Sequence, residues 1–382
     1  MSVQRIHAKK LFNGEDFLLD QVLTIEQGKI IAIDDDITNV DESLQGLVVP
    51  GFIDLQVNGG GGVLFNRSPT VAGIKSIMQA HAQFGTTAML PTLITDTVLV
   101  MQQAADSIAE AIKEKVPGII GVHFEGPHLS VAKKGAHSEE YIRPISEQEW
   151  QVLSRQDLGA VIVTLAPENV LPSDIEKMVG LGIHVCLGHT NADYTTTQKA
   201  IDIGASGFTH LFNAMSPLQG REPGVVGAAL LNDQTSCGLI VDGHHVDYVS
   251  CQLAIKTKPQ AKVFLVTDAM PPVGTKDTEF AFFDRTVQLA DGKLTSTTGE
   301  LAGSVLDMAT AVRNTVNHVN LPLAQALNMA AKNPADYIKQ SHLRGMLMVN
   351  SQADFVELDE QQQVLSTWIN GKQVYPINNN NI

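Results

Sequence analysis

Cysteine is scarce. Cys186, Cys237 and Cys251 are odd in number, scattered over 382 residues and free of CxxC spacing. That excludes a disulfide framework and a structural zinc site, and a reducing compartment is expected. Basic residues are also short, with 26 Lys and Arg against 41 Asp and Glu and a formal net charge of −15. Nucleic acid and anionic membranes need a basic surface, so both are excluded as partners. No segment approaches the roughly 18 uninterrupted apolar residues of a membrane-spanning helix. The opening MSVQRIHAKKLFNGEDF has no apolar h-region of a signal peptide. A soluble, cytoplasmic protein is expected. There is no P-loop, and the glycines of Gly59-Gly-Gly-Gly62 do not spell GxGxxG. A doubly wound nucleotide-binding sheet therefore lacks its main signal.

What is present is an ordinary folded composition, 44% hydrophobic and 18% charged. Two short strands flank Gln27-Gly28 within Val22–Ile33, a hairpin signal. The other end looks similar, with Ala353–Leu358 and Thr367–Tyr375 reading as strands and Asn378–Asn381 as a frayed polar tract. Residues 1–49 and 346–382 are expected to form one small β-sandwich domain from both chain ends. Between them, apolar strands ending near Gln56, Leu90, Phe124, Leu165, Leu187, Thr209, Val241 and Thr267 alternate with helical stretches. Such stretches include Val71–Phe84, Val98–Lys115, Ser173–Gly180 and Tyr194–Gly204. Eight strand–helix units predict an α/β fold, a (β/α)8 TIM-like barrel over residues 50–345.

In such barrels chemistry sits at the C-terminal ends of the strands. Five of those ends carry Glu125, His189, His210, the pair His244-His245, and Asp268. A lone polar residue at a strand end is usually a cap or turn former; five together predict a site. By contrast His7, His81, His184, His318 and His342 read as ordinary solvated or satisfied histidines. Glu, His and His can fill three positions around a divalent ion, zinc or iron, and leave one open for water. The ion acidifies that water, and an aspartate not needed as a ligand can accept its proton and return it to a leaving group. The set predicts hydrolysis rather than redox chemistry or phosphoryl transfer.

The ordered segments Pro50-Gly-Phe-Ile-Asp, His123-Phe-Glu-Gly-Pro, Gly188-His-Thr, Thr209-His-Leu-Phe-Asn-Ala-Met, Asp242-Gly-His-His and Thr267-Asp-Ala-Met resemble the amidohydrolase superfamily. Within it, HFEGP with THLFNAM resembles the N-acetylglucosamine-6-phosphate deacetylase family over nearly the whole chain. The resemblance implies Glu125, His189 and His210 as ligands of one divalent metal per subunit, zinc with iron as the substitute. It implies Asp268 as acid/base and His137 as the residue that polarises the acetyl carbonyl, with Ala136 beside it. Backbone at Asn213 and Ala214, together with Arg221 and His245, would hold the sugar phosphate. Leu301, Ala302 and Gly303 would lie over the sugar. Because a neighbouring subunit can supply Arg221 or His245, a homodimer or dimer of dimers is implied.

Gln56 and Asn58 fall where many members of the superfamily carry a His-x-His pair for a second metal. Neutral amides are weak ligands, so that second seat is expected to be vacant. The glycine run that follows reads as a tight turn rather than a phosphate cradle. The alternatives are another amidohydrolase, acting on a cyclic amide or an N-acetyl amino acid, and a non-catalytic sugar-phosphate sensor.

Overall fold

The strand Phe52–Val57 is buried at all its residues, as a strand covered on both faces must be. In the computed structural model, which describes residues 3–283, 285–296 and 299–376, it opens an eight-stranded parallel sheet. The others follow in chain order: Thr86–Ile94, Gly121–Glu125, Ala160–Leu165, His184–Leu187, Gly207–Phe208, Ser236–Leu239 and Val263–Leu265. The first and last strands are joined just past the eighth, where the Asp268 N–H donates to Gln56 O and the Asn58 N–H to Ala269 O, both at 3.0 Å. The sheet thus closes as the expected barrel.

Helices pack outside it, and several carry side-chain caps that say where they begin. Thr70 caps Val71–Ala82, Thr97 caps Val98–Lys113 and Asp193 caps Tyr194–Ile203, each side chain accepting from a first-turn N–H. The second barrel strand runs to Ile94, past the sequence expectation at Leu90. Pro91 is tolerated within the strand because it sits where the ladder with the first strand shifts register, so its missing N–H breaks little.

The two chain ends share one seven-stranded sheet. Its order is Lys372–Tyr375, Val364–Ile369, Phe355–Leu358, Glu42–Pro50, Gln4–Phe12, Phe17–Glu26 and Lys29–Asp34. The hairpin at Gly28 touches the hairpin at Asn370, so the sheet curls until its ends meet. The curl encloses Ile6, Leu11, Leu23, Ile25, Val48, Phe355 and Trp368. Phe12, Val49, Val356 and Ile369 belong instead to the barrel's core, which welds sheet to barrel. The tract Asn378–Asn381 lies outside the described residues.

An insertion after the eighth strand was not foreseen. Glu279–Phe282, Arg285–Ala290 and Lys293–Ser296 form a three-stranded antiparallel sheet at the barrel mouth. Its signal was Asp291-Gly292, both with positive φ, a two-residue hairpin turn.

Candidate active site

Three side chains from three strand ends converge at the mouth. Glu125 Oε1 lies 3.1 Å from His189 Nε2 and 3.0 Å from His210 Nε2, and the two ring nitrogens are 3.0 Å apart. All three residues are buried. His189 Nδ1 lies 2.9 Å from Lys133 O, a carbonyl that can only accept. The Nδ1 proton is therefore fixed there and the Nε2 lone pair is bare, the tautomer a metal ligand needs. Gly135, beside the ring, suits the left-handed backbone of this loop (φ +55°). Burial disfavours the Glu125 carboxylate, yet the adjoining His189 and His210 rings outweigh it and hold the group well below the usual range. This negative, triangular donor set fits one divalent cation.

His189, His210 and Asp268 all take left-handed backbone, with φ of 48°, 33° and 53°. Each lies two or three residues past the end of its strand, and the turn swings its side chain over the barrel axis. For residues with a Cβ such conformations store strain and need surrounding structure to hold them.

Asp268 faces the triad and is gripped by the two amides of the first strand. Asn58 Nδ2 donates to Asp268 Oδ1 at 2.5 Å, and Gln56 Nε2 lies 3.2 Å from both Asp268 Oδ1 and Glu125 Oε2. The seats expected to lack metal ligands thus hold hydrogen-bond donors that keep two nearby carboxylates apart. Both described donors fall on Oδ1, leaving Oδ2 for a proton. Burial, followed by the charge of Glu125, pushes the Asp268 carboxyl up. Beneath it Asp54 is fully buried and accepts from the Thr267 hydroxyl, and burial raises its carboxyl to about 7.

His137 comes from the loop after the third strand. Its Nδ1 lies 2.8 Å from Thr95 Oγ1 and its Nε2 4.0 Å from Glu125 Oε1. Burial, then the neighbouring His189, lowers it to about 3, so the ring is a neutral hydrogen-bond donor rather than an acid. His245 Nδ1 lies 2.7 Å from Asp242 Oδ2, and Asp242 Oδ1 accepts the N–H groups of His244 and His245. That carboxylate fixes the His245 ring at the edge of the cavity.

A cavity of about 400 Å³ opens over these groups. Ala136, His137, Asn213, Ala214, His245, Leu301, Ala302 and Gly303 line it together with Glu125, His189, His210, Asp268 and Asn58. Gln56 lies behind the carboxylates rather than on the wall. Arg221 is exposed on the loop before Gly224 and is not part of the lining. Sequence reasoning missed Ile94, Lys133, Met270 and Phe282, which also line the cavity, as well as Thr95 behind His137. Phe282 arrives on the unforeseen insertion.

The covering loop is laced to the acid's own segment. The Ser304 N–H donates to Asp268 O, the Met270 N–H to Ser304 O, and the Ser304 hydroxyl to Thr267 O. Below the ligands, His123 Nδ1 donates to Leu55 O at 3.1 Å, and its Nε2 accepts from Thr164, which pairs with Thr209.

The glycine run is a turn. Gly59–Gly60 pairs with Val63–Leu64, and the N–H groups of Gly59, Gly61 and Gly62 donate to Ala269, Val273 and Pro271 carbonyls. Those donors are spent, which corrects any reading as an anion cradle. Behind it His81, fully buried, donates from Nε2 to Gly59 O.

A buried carboxylate–imidazole triad with a facing carboxyl at a barrel mouth defines a hydrolytic metal-site class, and the chain belongs to the amidohydrolase family, which matches residues 47–374. More particularly, it is 54% identical to the N-acetylgalactosamine-6-phosphate deacetylase of Shewanella sp. (strain ANA-3), over 86% of this chain and 84% of that one. It is 35% identical to the N-acetylglucosamine-6-phosphate deacetylase of Haemophilus influenzae, over 84% and 85% of the two chains. The crystal structure of N-acetylglucosamine-6-phosphate deacetylase from Pasteurella multocida superposes with a TM-score of 0.93 at 39% identity, covering 97% of this chain and 99% of that one.

Proposed function

We propose that this chain hydrolyses the acetamide of N-acetyl-D-glucosamine 6-phosphate, giving D-glucosamine 6-phosphate and acetate. The observation that carries the reading is the Glu125–His189–His210 triangle facing Asp268 within one cavity. The similarity to named deacetylases along nearly the whole chain supports the substrate.

Glu125, His189 and His210 would hold one divalent ion, zinc by donor type with iron as the alternative, which when bound supplies a Lewis acid and acidified water. Asp268 takes the proton of the attacking water on Oδ2 while Asn58 and Gln56 hold Oδ1. It returns that proton to the amide nitrogen as the C–N bond breaks, and the protein regains its starting charge. His137 donates from Nε2 to the acetyl oxygen as negative charge builds there, a preorganised electrostatic contribution.

The phosphate would lie toward Asn213, Ala214 and His245. The Asn213 N–H already donates to His210 O, whereas that of Ala214 has no acceptor among the described residues. Arg221, outside the lining, is proposed to complete the phosphate site of a neighbouring subunit, in a homodimer or dimer of dimers. The three free, buried cysteines support a reducing, cytoplasmic setting.

A second reading is the C4 epimer, N-acetyl-D-galactosamine 6-phosphate, favoured by the 54% identity to the Shewanella enzyme named for it. Acetate release from both sugar phosphates, with and without a chelator, tests the proposal. A higher kcat/KM on the gluco sugar upholds the first reading and a higher one on the galacto sugar the second. No release from either would overturn both.

A further inference from the structure

Thr95 directly follows the second barrel strand and is 1% exposed, outside the cavity and behind His137. Its hydroxyl lies 2.8 Å from His137 Nδ1, and its backbone N–H points at the same nitrogen from 3.4 Å. The hydroxyl can also donate to Glu125 O, at 3.3 Å the longer of its two contacts. The spot is built for it: at Gly126 (φ +88°) a Cβ would lie 2.2 Å from Thr95 Oγ1, so only glycine leaves room for the hydroxyl.

A neutral imidazole carries one N–H and one lone pair, and its partners decide which nitrogen has which. A backbone N–H can only donate, so Nδ1 must accept. The threonine hydroxyl, the closer of the two, can rotate to donate as well. With Nδ1 accepting from the backbone N–H, and from the hydroxyl when its proton turns from Glu125 O to the closer nitrogen, the ring proton resides on Nε2, the nitrogen turned toward Glu125 and the cavity. The opposite tautomer would set two N–H groups against each other at Nδ1 and present a lone pair to an acyl oxygen, which repels it.

We infer that Thr95 is a positioning residue that fixes the Nε2–H tautomer of His137, so that the ring can donate to the substrate carbonyl. This rests on the reading of His137 given above. Thr95 itself touches no substrate, so its removal acts on turnover rather than on binding.

The test compares kcat, KM and metal content for Thr95→Val, Thr95→Ala, Thr95→Ser, His137→Gln and the double variant Thr95→Val/His137→Gln. Valine keeps the shape and deletes the hydroxyl; alanine is a second hydroxyl-free variant should valine not fold. The hydroxyl-free variants are expected to lose about 10- to 100-fold in kcat, with KM within about threefold and full metal content. Serine should recover to within about threefold of the parent kcat, and the double variant should be no slower than His137→Gln alone. A kcat within twofold of the parent for the hydroxyl-free variants, serine as impaired as valine, or additive losses in the double variant would each overturn the Thr95 assignment. Parental turnover in His137→Gln would instead overturn the role given to His137.

Discussion

Removing the charge of Asp268 separates proton transfer from metal binding, because the triad does not include it. Asp268→Asn should keep one metal equivalent and lose about 10²- to 10⁴-fold in kcat. His189→Gln should lose the metal itself, and elemental analysis beside the activity assay distinguishes the two cases. The parent should bind one equivalent per chain, since Gln56 and Asn58 put neutral amides, weak ligands, where a second ion would need imidazoles. Two tightly held equivalents would refute that. At this scale the chemistry was legible, because Glu125, His189, His210 and Asp268 are reactive types at strand ends. What escaped was their support. Thr95, Asp242 and Lys133 act through a hydroxyl, a turn carboxylate and a backbone carbonyl, and nothing in their spacing says which ring they meet.

Elements were read well where periodicity was strong and poorly where the chain folds on itself locally. The eight barrel strands and their helices follow from apolar runs and caps, while the Glu279–Ser296 insertion, half exposed and short-stranded, lacked such a run. The glycine hairpin and the helix Val71–Ala82 behave as one unit, since a Cβ at Gly60 would lie 2.9 Å from the His81 ring. Gly60→Ala should therefore cost about 1–3 kcal/mol, measurable by urea unfolding. The same contact makes the unit acid-sensitive. Burial lowers His81 from its ordinary 6.5 to about 4, so the unfolded chain binds the proton first. The contribution is present above pH 6.5 and is lost as the pH falls through 4, by about 3 kcal/mol in all. His81→Gln should remove that portion of the acid slope, seen as a smaller fall in unfolding free energy between pH 7 and pH 5 than in the parent.

The whole molecule depends on both ends of the chain. Glu42–Pro50 pairs with Gln4–Phe12 on one side and with Phe355–Leu358 on the other. Phe12, Val49 and Val356 fill the barrel's core from this sheet. A chain ending before residue 354 should therefore expose an apolar barrel face, lose near-UV circular dichroism and aggregate. The fold class was readable because hydrophobic runs repeat strand then helix. The partnership of the two ends was readable because each carries hairpin chemistry that neither could bury alone. The curl that brings Gly28 against Asn370 was not, since it depends on the twist accumulated over seven strands. That partnership also sets a timetable for biosynthesis. Gly46 must wait for Glu357, 311 positions later, to accept its N–H. A nascent chain therefore carries an unpaired strand edge for most of its synthesis, and the ribosome has nearly finished before the edge is covered. Premature termination anywhere in the barrel leaves that edge open, so truncated products are fated for proteolysis or aggregation rather than partial activity.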